Sequence, residues 1–128
     1  MMLSSFPLNN SCLADTGPAS DGTLTSVLAR SAQLFPDRPA VWARGETRTF
    51  DEFWGAAGTL AAALIDAGVE PNDRVALLCS RTITAYTAIA AALRAATTYV
   101  PLNPRYPLER NRSILTASGA SALIIDRK

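Results

Sequence analysis

From Phe50 onward the sequence alternates between segments of helical period and short apolar runs. Phe53, Ala57, Leu60, Leu64 and Ala67 recur at spacings of four and three, which is one stripe of a helix. Gly68 is the natural stop for that helix. After the turn residues "EPNDR" comes "VALLCS", an apolar run without interruption, as in a strand covered on both faces of a parallel sheet. Arg81 to Ala96 is helical again, with Ile83, Tyr86, Ala90 and Leu93 aligned and enough alanine for close approach to a sheet. "TYVPL" is the next strand. Pro107 suits a first helical position, and the helix it opens runs to Ser118 and stops at Gly119. "SALIID" is the last strand. The order helix, strand, helix, strand, helix, strand predicts an α/β fold: a partial parallel sheet with flanking helices and right-handed crossovers.

The preceding segment supplies smaller pieces. Leu24, Leu28, Ser31 and Phe35 mark one face of a helix that Pro36 closes. "PAVWARGETRTF" reads as two extended pieces around Gly45, with hairpin character. Thr49 and Glu52 have the spacing of a capping box at the start of the next helix. Residues 1–22 are rich in Ser, Asn, Pro and Gly without periodicity and are read as a flexible leader.

Composition excludes several chemistries. The chain has 128 residues, which suits one domain, and its formal net charge of +1 gives no electrostatic case for nucleic acid or an anionic membrane. There is no histidine, so Ser–His and Cys–His nucleophilic pairs are ruled out. Cys12 falls in the polar leader and Cys79 ends an apolar run, contexts too unlike to suggest a disulfide or a metal site. No secretory signal is visible, the most apolar window, Ala85 to Leu93, is too short to span a bilayer, and the cytoplasm is the default location. Charged residues are only 18% of the chain, which suits a surface meant to be covered by further protein.

One connection is unusually stiff. Between Leu93 and Leu115 stand Pro101, Pro104 and Pro107, which fix three φ angles and are expected to hold Leu102 to Tyr106 extended. The residues around them carry a family resemblance. "LRAATTYVPLNPRYPLERNRSILTASGASALI" resembles the second core motif of adenylate-forming enzymes, above all the amino-acid adenylation domains of nonribosomal peptide synthetases, through Leu93, Ala95, Tyr99, Val100, Pro101, Pro104, Tyr106, Pro107, Glu109 and Arg110. Arg94, Leu102 and Asn103 are mild replacements, Ala96 stands where the family usually has glycine, and Thr98 where it usually has alanine. Upstream, "FPDRPAVWARGETRTFDEFWGAAGTLAAALIDAGVEPNDRVALL" is similar to the start of the same domain, so the resemblance covers Leu24 to Ile125.

The resemblance implies an N-terminal fragment of an acyl-, aryl- or aminoacyl-AMP ligase fold, with residues 23–128 as a truncated adenylation (AMP-binding) domain. It implies an ATP-dependent reaction with Mg²⁺, in which a carboxylate attacks the α-phosphate to give an acyl adenylate that a thiol then takes. Such chemistry needs backbone N–H donors for phosphate, a divalent cation and a lysine on the developing charge. Here the seven glycines stand singly, at 17, 22, 45, 55, 58, 68 and 119, and the sole lysine is Lys128. No catalytic, cofactor-binding or metal-binding residue is therefore assigned. The expected reading is a scaffold fragment, inactive alone, whose partners are the remainder of the adenylation domain and a carrier domain, with no nucleic acid and no membrane. The alternatives are a small α/β interaction module derived from such a domain without catalysis, and a stand-alone doubly wound nucleotide binder, which lacks a glycine loop after "VALLCS".

A few residues carry two readings. Asp126 and Lys128 form a polar strand end, either solvated or in contact with a ligand. Arg105, Arg110 and Arg112 make either a solvated helix face or a phosphate contact. Glu109 and Arg110 are expected to tie the helix start locally. Tyr99 and Tyr106 are read as packing residues with their hydroxyls at the rim, and Trp42 and Trp54 as core or half-core.

Overall fold

A computed structural model of the chain describes residues 22–126, so the expected leader falls, but for Gly22, outside the described residues. Helix α1 spans Leu24–Leu34 and is capped by Thr23, whose side chain accepts from Ser26 N–H. Strands β1 (Pro39–Ala43) and β2 (Glu46–Thr49) form the expected antiparallel hairpin. Its two-residue loop has Arg44 at φ 52° and Gly45 at φ 85°, both left-handed as a type I′ turn requires. Helix α2 (Phe50–Asp66) opens on the predicted capping box: Glu52 N–H donates to Thr49 Oγ1 at 3.3 Å, and Thr49 N–H donates to Glu52 Oε2 at 3.0 Å.

Then follow β3 (Arg74–Leu78), α3 (Ile83–Arg94), β4 (Thr98–Leu102), α4 (Leu108–Ser118) and β5 (Ala122–Ile125). The three strands are parallel in the order β4–β3–β5. The alternation read from the sequence is thus present, and β3 is the central strand. Val75, Ala76 and Leu77 are all buried, as an apolar run without alternation requires when both faces are covered. Val75 and Leu77 face a core made with Leu64 of α2, Val69, and Ala88 and Ala92 of α3, with Ala122 and Ile124 of β5 packed beside them.

The alanines of α3 serve two surfaces. Ala88 and Ala92 meet the sheet, while Ala90 packs with Phe53 and Ala57, and Ala91 with Ala61 of α2. Small side chains on both sides let α3 lie between sheet and helix. The stripe expected to be the buried one is less covered: Ile83 and Leu93 are half-buried and Tyr86 is exposed.

Three expectations need correction. Trp42 is 70% exposed rather than core, because it lies between half-buried Val41 and buried Ala43, and strand alternation turns it outward. The segment after β4 is a closed turn, not an extended piece: Tyr106 N–H donates to Asn103 O at 3.0 Å, and Arg105 N–H to Asn103 Oδ1 at 2.9 Å. Pro104 presets φ at the second position of that turn while Asn103 caps the first, so proline here stiffens a bend. Pro107 is the residue before the first helical position of α4, at φ −52° and ψ 144°, and Gly119 ends that helix in the left-handed conformation as expected.

Besides Arg44, two non-glycine residues among those described take a positive φ, Asn72 at 71° and Ala96 at 56°. Ala96, between α3 and β4, sits at φ 56°, where a Cβ is disfavoured. Its carbonyl accepts from Asn72 N–H at 2.8 Å, which ties the turn before β3 to the turn before β4.

Candidate functional site

Parallel strands bring their carboxyl ends together, and ligands of open α/β sheets bind outside those ends. Here that end holds a cavity of about 570 Å³. Cys79, Ser80 and Arg81 line it from the β3–α3 connection, Pro101 to Tyr106 from the end of β4 and the turn after it, and Arg44 from the hairpin loop. β5 lies on the far side of β3 from β4, so the strand order reverses between β3 and β5; the cavity itself lies on the β3–β4 side, and none of its described lining residues comes from β5.

Asp126 stands at that reversal. Its Oδ2 accepts from Ser80 N–H at 2.9 Å and from Thr82 Oγ1 at 3.0 Å. Thr82 is also the N-cap of α3, accepting from Ala85 N–H at 3.3 Å. One carboxylate therefore fastens the end of β5 to the start of α3, and its charge lies at the positive end of the helix. Lys128, its sequence companion, lies outside the described residues, as does Cys12.

The turn wall is braced from behind. Asn111, buried in α4, donates from Nδ2 to Asn103 O at 2.8 Å, and its Oδ1 has no hydrogen-bond partner among the described residues. Sequence reading overlooked Asn111, since a lone asparagine in a charged helix carries no local signal of burial.

The expected basic cluster is split by the structure. Arg110 stacks on Tyr106 at 4.4 Å, Arg112 pairs with Glu109 at 3.4 Å on the exposed face of α4, and Arg105 alone lines the cavity. Glu109 does tie the first turn of α4 locally, through Arg112 rather than Arg110. Tyr106 lies at the cavity, and Tyr99 is part-exposed on edge strand β4. Trp54 is half-buried beneath Arg94.

Cys79 packs against the core, and its thiol lies 3.8 Å from Ile124 O. Burial pushes the thiol above its ordinary pKa; a hydrogen bond from the Asp126 backbone opposes that rise and the Asp126 charge adds to it. A protonated thiol is neither nucleophile nor metal ligand. Among the described residues no three Cys, Asp or Glu side chains lie together where a metal ion could be held, so these residues do not form a Mg²⁺ cage. Among them, too, no helix is long and apolar enough to cross a membrane.

Comparison with known proteins accounts for this arrangement. The family described as AMP-binding enzyme matches residues 28–128. Surfactin synthase subunit 1 of Bacillus subtilis is 36% identical over 104 residues, which is 81% of this chain and 3% of that protein. Phosphinothricin tripeptide synthetase PhsC of Streptomyces viridochromogenes is 39% identical over 118 residues, 92% of this chain and 11% of that one. The N-terminal subdomain of NpsA from Klebsiella oxytoca superposes with a TM-score of 0.74 at 28% identity, over 80% of this chain and 27% of that one. The chain therefore spans a small share of each relative, and it belongs to the AMP-binding family of adenylate-forming enzymes, as part of an adenylation domain of the nonribosomal peptide synthetase kind.

Proposed function

We propose that the complete polypeptide activates a carboxylate, with an amino acid as the expected substrate, and that residues 22–126 serve it as scaffold. In that reaction a carboxylate oxygen attacks the α-phosphorus of ATP. The bond to the β-phosphate breaks, pyrophosphate leaves, and the acyl adenylate is consumed by a thiol that displaces AMP. ATP and Mg²⁺ belong to the complete domain in this reading. Among the described residues no cluster of Cys, Asp or Glu side chains could hold the cation.

The observation that carries the reading is the family match over residues 28–128. The artificially fused adenylation–PCP di-domain NpsA-ThdA of Klebsiella oxytoca, which superposes with a TM-score of 0.75 at 28% identity, supports a carrier domain as the thiol-bearing partner. The contribution of this chain is positional. The β4–β3–β5 sheet and the braced turn Asn103–Tyr106 hold the carboxyl ends of the strands in one geometry. Groups held in advance lose no freedom at the moment of reaction. The reading carries with it a cytoplasmic location, where ATP is supplied.

ATP–pyrophosphate exchange over a panel of amino acids tests both parts. The complete polypeptide should exchange with at least one of them, and residues 1–128 alone with none. Exchange by residues 1–128 alone overturns the scaffold role, and no exchange by the complete polypeptide with any carboxylate overturns the activation itself.

A further inference from the structure

Helix α1 carries apolar residues on two of its flanks. Leu28 packs on the cluster of Phe53, Ala57 and Ala90, and Ala32 is buried. Leu24, Val27 and Leu34 recur at spacings of three and seven along a different flank, and they stay exposed, at 56%, 42% and 57%. A surface helix ordinarily turns one apolar stripe to the core and polar residues outward. Single exposed apolar side chains are common on any protein, but a row of them along one helix marks a surface that further protein covers. Among the described residues nothing covers this one.

The chain that enters α1 has the composition and the length to cover it. Residues 1–21 join the described part at Gly22, next to the Thr23 cap. From Met1 to Ala14 they include Leu3, Phe6, Leu8 and Leu13 and no Asp, Glu, Lys or Arg. A helix rises about 1.5 Å per residue, so the stripe from Leu24 to Leu34 is about 15 Å long. An extended chain gains about 3.3 Å per residue, so Leu8 to Leu13 can reach about 16 Å, the length of the stripe. Between Leu13 and α1 stand Gly17 and Pro18, and Gly22 is left-handed at φ 61°, which suits a reversal of direction. The match to phosphinothricin tripeptide synthetase PhsC also takes in 118 residues of this chain, more than residues 22–128 contain, so it reaches back into residues 1–21. A linker that only spans a gap needs a composition and not a particular sequence.

We propose that residues 1–21 turn back on α1, and that Phe6, Leu8 and Leu13 cover the stripe of Leu24, Val27 and Leu34. A tethered segment meets its own helix at an effective concentration on the order of millimolar, so modest apolar contact is enough to hold it. Docking makes residues 1–21 part of the domain surface instead of a loose leader, and it takes an apolar patch out of water. The inference is independent of the adenylation reading, since it uses none of the groups that reading requires.

The test is hydroxyl-radical footprinting read by mass spectrometry, on residues 1–128 and on the complete polypeptide, each with and without residues 1–21. Deletion of residues 1–21 should raise labelling of Leu24, Val27 and Leu34 severalfold and leave the exposed Trp42 and Tyr86 unchanged. With residues 1–21 in place, V27E/L34E should raise labelling of Phe6, Leu8 and Leu13, because a carboxylate cannot be buried against them without a partner. Equal labelling of the stripe with and without residues 1–21 overturns the docking. So does protection that is lost on dilution, which would mean a second copy on the stripe. Protection in the complete polypeptide that survives the deletion overturns it too, since another part of the polypeptide would then be the cover. The deletion leaves α1 itself unaltered, so misfolding of the double variant does not blunt the test.

Discussion

The guanidinium of Arg94, in the last turn of α3, lies 4.1 Å above the indole ring of Trp54 and donates from Nη1 to Trp54 O at 2.9 Å. The pair joins α3 to α2 across 40 residues of sequence. It also passes over Gly58, where an added Cβ would meet the guanidinium carbon at 3.1 Å. Stacking and hydrogen bonding together should be worth about 1–2 kcal/mol even at this exposed site.

Arg94→Ala should therefore lower unfolding stability by about 1–2 kcal/mol in urea titration. Gly58→Ala gives the sharper outcome. Alanine gains about 1 kcal/mol of helix propensity but displaces the guanidinium, so in the natural background the change should be near neutral. With Arg94→Ala already made there is nothing to displace, and Gly58→Ala should stabilise by about 1 kcal/mol. Additive effects in the double variant would refute the coupling.

Ala96 is a second position where backbone geometry and side chain conflict. Its φ of 56° costs an L-residue roughly 1–2 kcal/mol. The residue is exposed, and its hydrogen bonds run through the backbone, to Leu93 O and from Asn72 N–H. Ala96→Gly removes the strain and loses no contact, but it adds freedom to the unfolded chain. The net expectation is a gain of about 0.5–1 kcal/mol, read as a higher denaturant midpoint at unchanged slope. A lower midpoint would show that the methyl group packs.

What was legible in the sequence was what lies within one element. Thr49 and Glu52 are three residues apart, and both halves of their cap form. "VALLCS" carries its double-sided burial in its composition. The residues from Tyr99 to Arg110 carry the family resemblance by themselves. What was not legible depends on other elements. Asp126 meets Thr82 across 44 residues, and only the parallel register of β5 on β3 brings them together. Trp42 reads as core or half-core in the sequence, whereas its place in a strand turns it outward. The cavity draws Arg44 from a hairpin to the ends of two strands, so three arginines 37 and 24 positions apart in sequence carry no common pattern.

The Cys79 thiol should report its burial through pH. Its folded pKa is raised above the unfolded value, so the neutral thiol favours the folded state. That contribution is whole below the ordinary thiol pKa and is lost as pH rises through the folded one. Stability should fall more steeply on the alkaline side for the natural chain than for Cys79→Ala, which has no such proton to lose. Alkylation of Cys79 near neutral pH should be slower in the folded chain than in denaturant, because the thiolate is the reactive form. Equal rates in the two states would contradict the shift.

Asn111 gives the most direct test of how the turn Asn103–Tyr106 is held. Its Nδ2 braces Asn103 O at 2.8 Å, while its buried Oδ1 is unpaired among the described residues. An unsatisfied buried carbonyl costs about 1–3 kcal/mol, against about 1 kcal/mol returned by the single hydrogen bond. Asn103 O keeps a partner without Asn111, since Tyr106 N–H donates to it at 3.0 Å. Asn111→Leu, of similar volume, should thus be neutral or stabilising by about 1 kcal/mol, while Asn111→Ala should destabilise by about 1–2 kcal/mol through the space it leaves. Amide exchange separates stability from rigidity. Asn111→Leu should leave exchange in α4 slow yet speed it at Tyr106, because the turn has lost its brace and not its fold. Slow exchange at Tyr106 in that variant would show that Pro104 and Pro107 hold the turn unaided.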